Sequence, residues 1–157
     1  MSRKDFLIEK LQLQSHPEGG FYRETYRSKG VVDFGGERNF STCIYFMLTS
    51  DGFSAFHRIR QDEIWHFYEG AAVLIHMISP EGDCSSVRVG ADLAMGEKFH
   101  FVVPAEYWFA AKVLGDYALV GCTVAPGFDF RDFELASREF LMRKYPTHKD
   151  VIEQFTR

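Results

Sequence analysis

The stretch Gly52–Gly70, GFSAFHRIRQDEIWHFYEG, decides how this chain is read. Period-two alternation puts Ala55, His57 and Ile59 on one face of a strand and Phe56, Arg58 and Arg60 on the other. Two arginines mark the second face as the solvent or interface side, so His57 is expected to point inward. After a turn at Gln61-Asp62, the same alternation gathers Glu63, Trp65 and Phe67. A carboxylate between two large aromatics suggests a group facing a cavity. A His and a Glu converging inside a β-barrel can act as metal ligands or as an acid/base pair. They can also form a buried hydrogen bond that merely satisfies two polar groups.

Outward from this stretch, the β texture runs from about residue 20 to 125 in short segments broken by turn residues. Strands are expected at 21–27, 40–48, 53–59, 64–68, 73–79, 85–89, 98–103, 108–112 and 117–124. Turns fall at Gly35-Gly36, Asp51-Gly52, Glu69-Gly70, 80–83, Gly96, Pro104 and Gly115-Asp116. Many short strands at this spacing predict an all-β sandwich or barrel. A short helix over 2–13 precedes it, capped by Ser2, and His16-Pro17-Glu18-Gly19-Gly20 stops that helix. A helical tail follows over about 130–156, with helices at 132–145 and 149–155, the second capped by Thr147. The whole of 1–157 reads as one domain.

The 157 residues are 46% apolar and 25% charged, enough for one sizeable core. With 18 Lys and Arg against 22 Asp and Glu, the net charge is −4, and no basic cluster stands out. A nucleic-acid partner is therefore not expected. No apolar run reaches the roughly 18–20 residues of a membrane span, and residues 1–6 open a charged amphipathic stretch rather than a signal-peptide core. Cys43, Cys84 and Cys122 are odd in number and widely spaced, as free thiols of a cytoplasmic protein would be. Aromatics are 16% of the chain, enough to fill a wide core or line a pocket.

The central stretch resembles the first motif of the cupin superfamily, G-x5-H-x-H-x3,4-E-x6-G. Glu63 and Gly70 match, His57 takes the first His slot, and Gly52 lies one residue nearer than the pattern asks. Ile59 stands in the second His slot. The second motif, P-x-G-x2-H, falls on Pro104–Phe109, with Glu106 for its Gly and Phe109 for its His. The segments HPEGGFYRETYRS, STCIYFML, FHRIRQDEIWHFYEG, VVPAEYWFAA and GCTVAPGFDFRDFELA are similar to successive blocks of a bacterial and fungal cupin-like family of unknown function. The resemblance covers about residues 5–145. It implies a jelly-roll barrel and a pocket or framework drawn from His57, Asp62, Glu63, Trp65, His66 and Trp108. Gly20–Tyr26 is also similar to a strand of dTDP-4-dehydrorhamnose 3,5-epimerases, metal-free cupins that use a His base and a Tyr acid.

These readings combine into a cytoplasmic cupin barrel that binds a small sugar- or nucleotide-like ligand and isomerises or epimerises it without a metal. His57 and Glu63 are the candidate catalytic residues. Arg23, Trp65, His66, Trp108 and Phe109 are the candidate ligand contacts. Arg23 or Lys112 would offset developing charge, and Tyr26, Tyr45, Tyr107 or Tyr117 would return a proton. No cofactor is expected, because Ile59 and Phe109 remove two of four metal ligands. A metal-dependent dioxygenase or decarboxylase and a non-catalytic binding module are the alternatives. A homodimer is expected, with exposed sheet edges and Phe56 on an outer face to be covered. On this reading His57→Phe leaves the fold intact.

Overall fold

The computed structural model describes residues 1–157. Helix α1 (Arg3–Lys10) starts at the expected cap, where the Ser2 hydroxyl accepts the Asp5 amide. It ends early because Gln12 adopts a left-handed backbone, which turns the chain into β1 (Gln14–Ser15). The strands that follow are β2 (Phe21–Arg27), β3 (Val31–Asp33), β4 (Glu37–Asn39), β5 (Thr42–Thr49), β6 (Ser54–Arg58) and β7 (Asp62–Gly70). Then come β8 (Val73–Ile78), β9 (Cys84–Val89), β10 (His100–Val103), β11 (Trp108–Val113), β12 (Tyr117–Ala125) and β13 (Glu134–Leu135). All nine expected strands are present, each within two residues of the expected bounds.

They form a six-stranded sheet ordered β1-β2-β5-β12-β7-β10 and a five-stranded sheet ordered β13-β6-β11-β8-β9. From β5 to β12 the chain passes back and forth between these two layers in antiparallel pairings, which makes a jelly roll. Gly35-Gly36, expected only as a turn, joins β3 and β4 into a small separate hairpin. The core between the sheets is built on Phe46, Trp65, Ile75 and Phe109.

The C-terminal region departs from its expected helix over 132–145. Residues 130–132 form a single 3-10 turn, and β13 then pairs with the free edge of β6. Helix therefore starts only at α2 (Arg138–Lys144), capped by Ser137. Helix α3 (Lys149–Gln154) continues directly from a 3-10 turn at 146–148, so Thr147 is inside that turn and caps nothing. These two helices lie on the outer face of the five-stranded sheet and bury Phe56, Trp108, Leu141, Ile152 and Phe155 together. Phe56 is thus fully covered by its own chain, which removes it as a reason to expect a partner subunit. Helix α1 covers part of the other sheet's outer face, packing Leu7 and Leu13 on Met47 and Leu119. No helix is long and apolar enough to cross a membrane.

Candidate functional site

A cavity of about 360 Å³ opens between the two sheets, floored by the inward side chains of β6, β7 and β12 and closed on one side by residues 128–133. His57, Ile59, Glu63 and Cys122 line it together, so the inward alternation expected for β6 and β7 is observed.

The partner of His57 is a residue the sequence reading missed. Glu18 follows Pro17 and precedes two glycines with positive φ, +112° at Gly19 and +79° at Gly20. A Cβ at either would collide with backbone carbonyl oxygens of Phe53 or Met47. Only glycine allows the tight turn that folds Glu18 into the barrel mouth, where its carbonyl accepts the Ala55 amide at 2.7 Å. Its carboxylate reaches His57 Nε2 at 3.0 Å and also accepts from the Ser54 hydroxyl. His57 Nδ1 lies 2.7 Å from the Ala55 carbonyl oxygen. Two acceptors thus face the two ring nitrogens, an arrangement that suits the imidazolium, which donates from each. Burial works against that charge, but the Glu18 carboxylate and its hydrogen bond outweigh it and raise the His57 pKa. Burial likewise opposes the Glu18 charge, and His57 overcomes it, leaving the Glu18 pKa lowered.

His16 stands beside this pair, its ring 4.6 Å from Tyr22, and burial lowers its pKa. Its neutral Nδ1 accepts the Glu18 amide at 3.2 Å. The same nitrogen lies 3.2 Å from Glu18 Oε1, but an ion pair there would need the protonated ring that burial disfavours.

Glu63 is the carboxylate left over. It takes part in no ion pair, and burial together with the nearby Glu18 charge pushes it up to about 7. His57 and the polar groups of Trp65 and Cys122 work in the opposite direction without winning. Protonation of Glu63 therefore changes near neutral pH, while the His57–Glu18 pair holds a fixed internal charge.

The remaining sequence candidates lie elsewhere. Tyr22 and Glu24 point into the cavity, so Arg23 between them points out, towards the Leu11 carbonyl. A bulge between Glu24 and Tyr26 then resets the alternation and brings Arg27 inward. Arg27, not Arg23, is the guanidinium of the cavity. Trp65 is sealed in the core between the sheets. Phe109 pairs with His57 across β6 and β11, its ring 4.1 Å from the imidazole, as packing behind the site. Trp108 faces the opposite way, under the C-terminal helices and beneath the Arg58 guanidinium at 4.5 Å. His66 is on the outer face of the large sheet, bonded to Thr123 Oγ1 at 3.1 Å. Lys112 is exposed, and Tyr26, Tyr45, Tyr107 and Tyr117 do not line the cavity, whereas Tyr22 does.

The residues present do not fit the metal site that the cupin motifs imply. Ile59 and Phe109 fill two of its four positions, and no three His, Cys, Asp or Glu side chains converge as a ligand set. His57 itself has each nitrogen engaged. Because that engagement is with a buried carboxylate, His57→Phe strands Glu18 and is expected to cost about 3–5 kcal/mol, contrary to the tolerance inferred from sequence. Chemical denaturation of the variant measures this.

Compared with known proteins, residues 5–136 match the family described as Cupin superfamily (DUF985). Protein SO0799 of Shewanella oneidensis, known from an X-ray crystal structure, is 44% identical with a TM-score of 0.94, over 100% of this chain and 99% of that one. A hypothetical protein from Leishmania major is 36% identical with a TM-score of 0.94, over 99% of each chain. The uncharacterized protein YML079W of Saccharomyces cerevisiae is 33% identical over 144 residues, 80% of this chain and 71% of that protein.

Proposed function

Since the chain belongs to the Cupin superfamily (DUF985) family, we propose that its barrel interior binds a small, sugar-like carbonyl compound and isomerises or epimerises it by metal-independent proton transfer. The observation that carries this reading is the unpaired Glu63 carboxylate, poised near neutral pH on the cavity wall beside a locked His57–Glu18 pair. The roles suggested by sequence are thereby redistributed. Both His57 nitrogens face acceptors, Glu18 and the Ala55 carbonyl, so no ring lone pair is presented to the cavity and Glu63 takes the role of base.

In the proposed step, Glu63 removes a proton from the carbon next to the ligand carbonyl. The C–H electron pair moves into the new C=C bond, and the carbonyl π pair moves onto oxygen as an enolate. The Thr42 hydroxyl, whose oxygen already accepts the Phe128 amide, donates its proton in a hydrogen bond to that enolate oxygen. For epimerisation, Tyr22, the tyrosine that lines the cavity, returns a proton to the opposite face of that carbon; solvent then takes the proton of Glu63 and reprotonates the tyrosinate. For isomerisation, the proton goes to the former carbonyl carbon, whose oxygen gains a proton as the neighbouring hydroxyl gives one up. Carbon thus exchanges its hydrogen with solvent.

The test is deuterium exchange followed by proton NMR in heavy water, with a panel of free aldoses and ketoses as probes. The expected result is protein-dependent loss of the signal next to the carbonyl, abolished by Glu63→Gln and insensitive to a chelator. Exchange that persists in Glu63→Gln, or that a chelator stops, overturns the proposal. Binding without exchange makes the protein a binding module.

A further inference from the structure

Charge matching inside the cavity narrows the ligand further, resting on the reading of Glu63 just given. Each cation of the wall already has its anion. Arg27 is held by Glu24 at the cavity mouth, where the two side chains are 37% and 39% exposed, through contacts of 2.6 and 3.2 Å, and its Nη1 donates to Asn39 Oδ1 at 2.7 Å. It also donates to the Phe128 carbonyl at 3.0 Å. His57 is held by Glu18. Asp129, the fourth carboxylate of the wall, is held by Arg131 at 2.9 Å. Once these pairs are matched, no guanidinium, ammonium or imidazolium of the lining is free, and one carboxylate, Glu63, is.

A phosphate or carboxylate entering this space would meet no uncommitted cation and would lie among four acidic side chains. Burying an unpaired charge in that way is the costly case. A cationic ligand would pair with Glu63 and occupy the free carboxylate that the proposed proton transfer requires. The uncommitted groups are those that recognise hydroxyls: the Glu63 carboxyl, the Tyr22 phenol, the His16 Nε2–H and the Thr42 hydroxyl, whose oxygen already accepts the Phe128 amide at 2.9 Å and so has its proton to give. Beside them stands an apolar wall of Phe128, Phe130 and Phe133, with ring centroids 4.9 to 6.3 Å apart. Polar groups along one side and aromatic surface along another suit the two faces of a sugar ring. The volume of about 360 Å³ is near the small end of ligand pockets, about 300–1,000 Å³, and suits a single ring rather than a nucleotide sugar.

We propose that the cavity selects an uncharged polyhydroxylated carbonyl compound, a free aldose or ketose of monosaccharide size, and rejects the phosphorylated and uronic forms of the same sugar. The Glu24–Arg27 pair is the device that enforces the rejection, because it cancels the one guanidinium that could otherwise hold an anion.

Saturation-transfer NMR and calorimetric titration test this with glucose, mannose, fructose and xylose, their phosphates, and glucuronate. At least one free sugar is expected to bind, with its phosphate or uronate at least tenfold weaker. Glu24→Gln is expected to release Arg27 and raise the affinity for the phosphate relative to its parent sugar. A phosphate or uronate that binds the unaltered protein as tightly as its neutral parent overturns the proposal, and so does the absence of binding by every free sugar. The deuterium readout keeps the two readings apart. Exchange on a phosphorylated sugar that Glu63→Gln abolishes leaves Glu63 in its role and overturns the uncharged ligand. A free sugar that binds selectively without exchange does the reverse.

Discussion

Asp132→Ala lowers the melting temperature by on the order of 10 °C and takes ligand binding with it. The Arg38 guanidinium grips Asp132 in a two-pronged contact, 2.8 Å on each prong, and the two side chains are only 4% and 2% exposed. Gln61 adds a third donor at 2.8 Å and Arg60 a longer contact at 3.4 Å. Arginine cannot shed its proton, so removal of the carboxylate leaves the guanidinium without its hydrogen-bonded counter-charge, with Asp129 as the remaining carboxylate that acts on it. The damage reaches the cavity because Asp132 lies in the segment that supplies Phe128, Asp129, Phe130 and Phe133 to its wall. Thermal melts should be compared with Arg3→Ala, which deletes the exposed contact to Glu69 and is expected to change nothing measurable. Equal melts for the two variants would show that the clamp carries no special weight.

Glu63→Gln has the opposite effect on stability, and one that fades as pH falls towards 4.5. Glu63 is pushed up to about 7 in the folded chain, from an ordinary 4.5. Below pH 4.5 the carboxyl is protonated whether the chain is folded or not, so it contributes no pH dependence. Between 4.5 and 7 the unfolded chain ionises while the folded one keeps its proton, and folded-state stability declines as pH rises. Above 7 the accumulated loss reaches at most about 3 kcal/mol, reduced by whatever contact the carboxylate keeps with cavity water. Glutamine cannot ionise and escapes this loss. The variant is therefore expected to melt higher than the parent at pH 8, by several degrees, and to lose that advantage at pH 4.5. An advantage of equal size at the two pH values would mean that Glu63 has no raised pKa. Loss of proton transfer in a variant that is more stable would mark Glu63 as a group held in an unfavourable state for its chemistry.

The barrel was legible from sequence because alternation and turn residues are local signals. All nine strands followed from them, and so did the inward direction of His57 and Glu63. The site was only half legible. Glu18 sits in a turn that local rules read as a helix stop, and nothing local says that its side chain doubles back beneath β6. Residues 128–133 lie beyond the last strand, in a segment whose apolar spacing imitates a helix, yet they form a wall of the cavity. Trp65 and Trp108 are aromatics beside motif positions, and Phe109 stands at one. Strand alternation and the unforeseen cover of α2 and α3 turned them into packing instead.

The bulge in β2 has a consequence for how such a pocket keeps its preferences. Up to Glu24 the inward residues are the even-numbered ones, and beyond the bulge Arg27 takes over from the odd-numbered set. Thr25 is the extra residue, and it lets Glu24 and Arg27 share the inward face although they are three apart in sequence. Loss of Thr25 would straighten the ladder and leave only Tyr26 between them, with Arg27 two positions after Glu24 and still facing inward. The counter-charge of Glu24 therefore outlasts the bulge, and a one-residue deletion at this point leaves the electrical character of the binding space as it was.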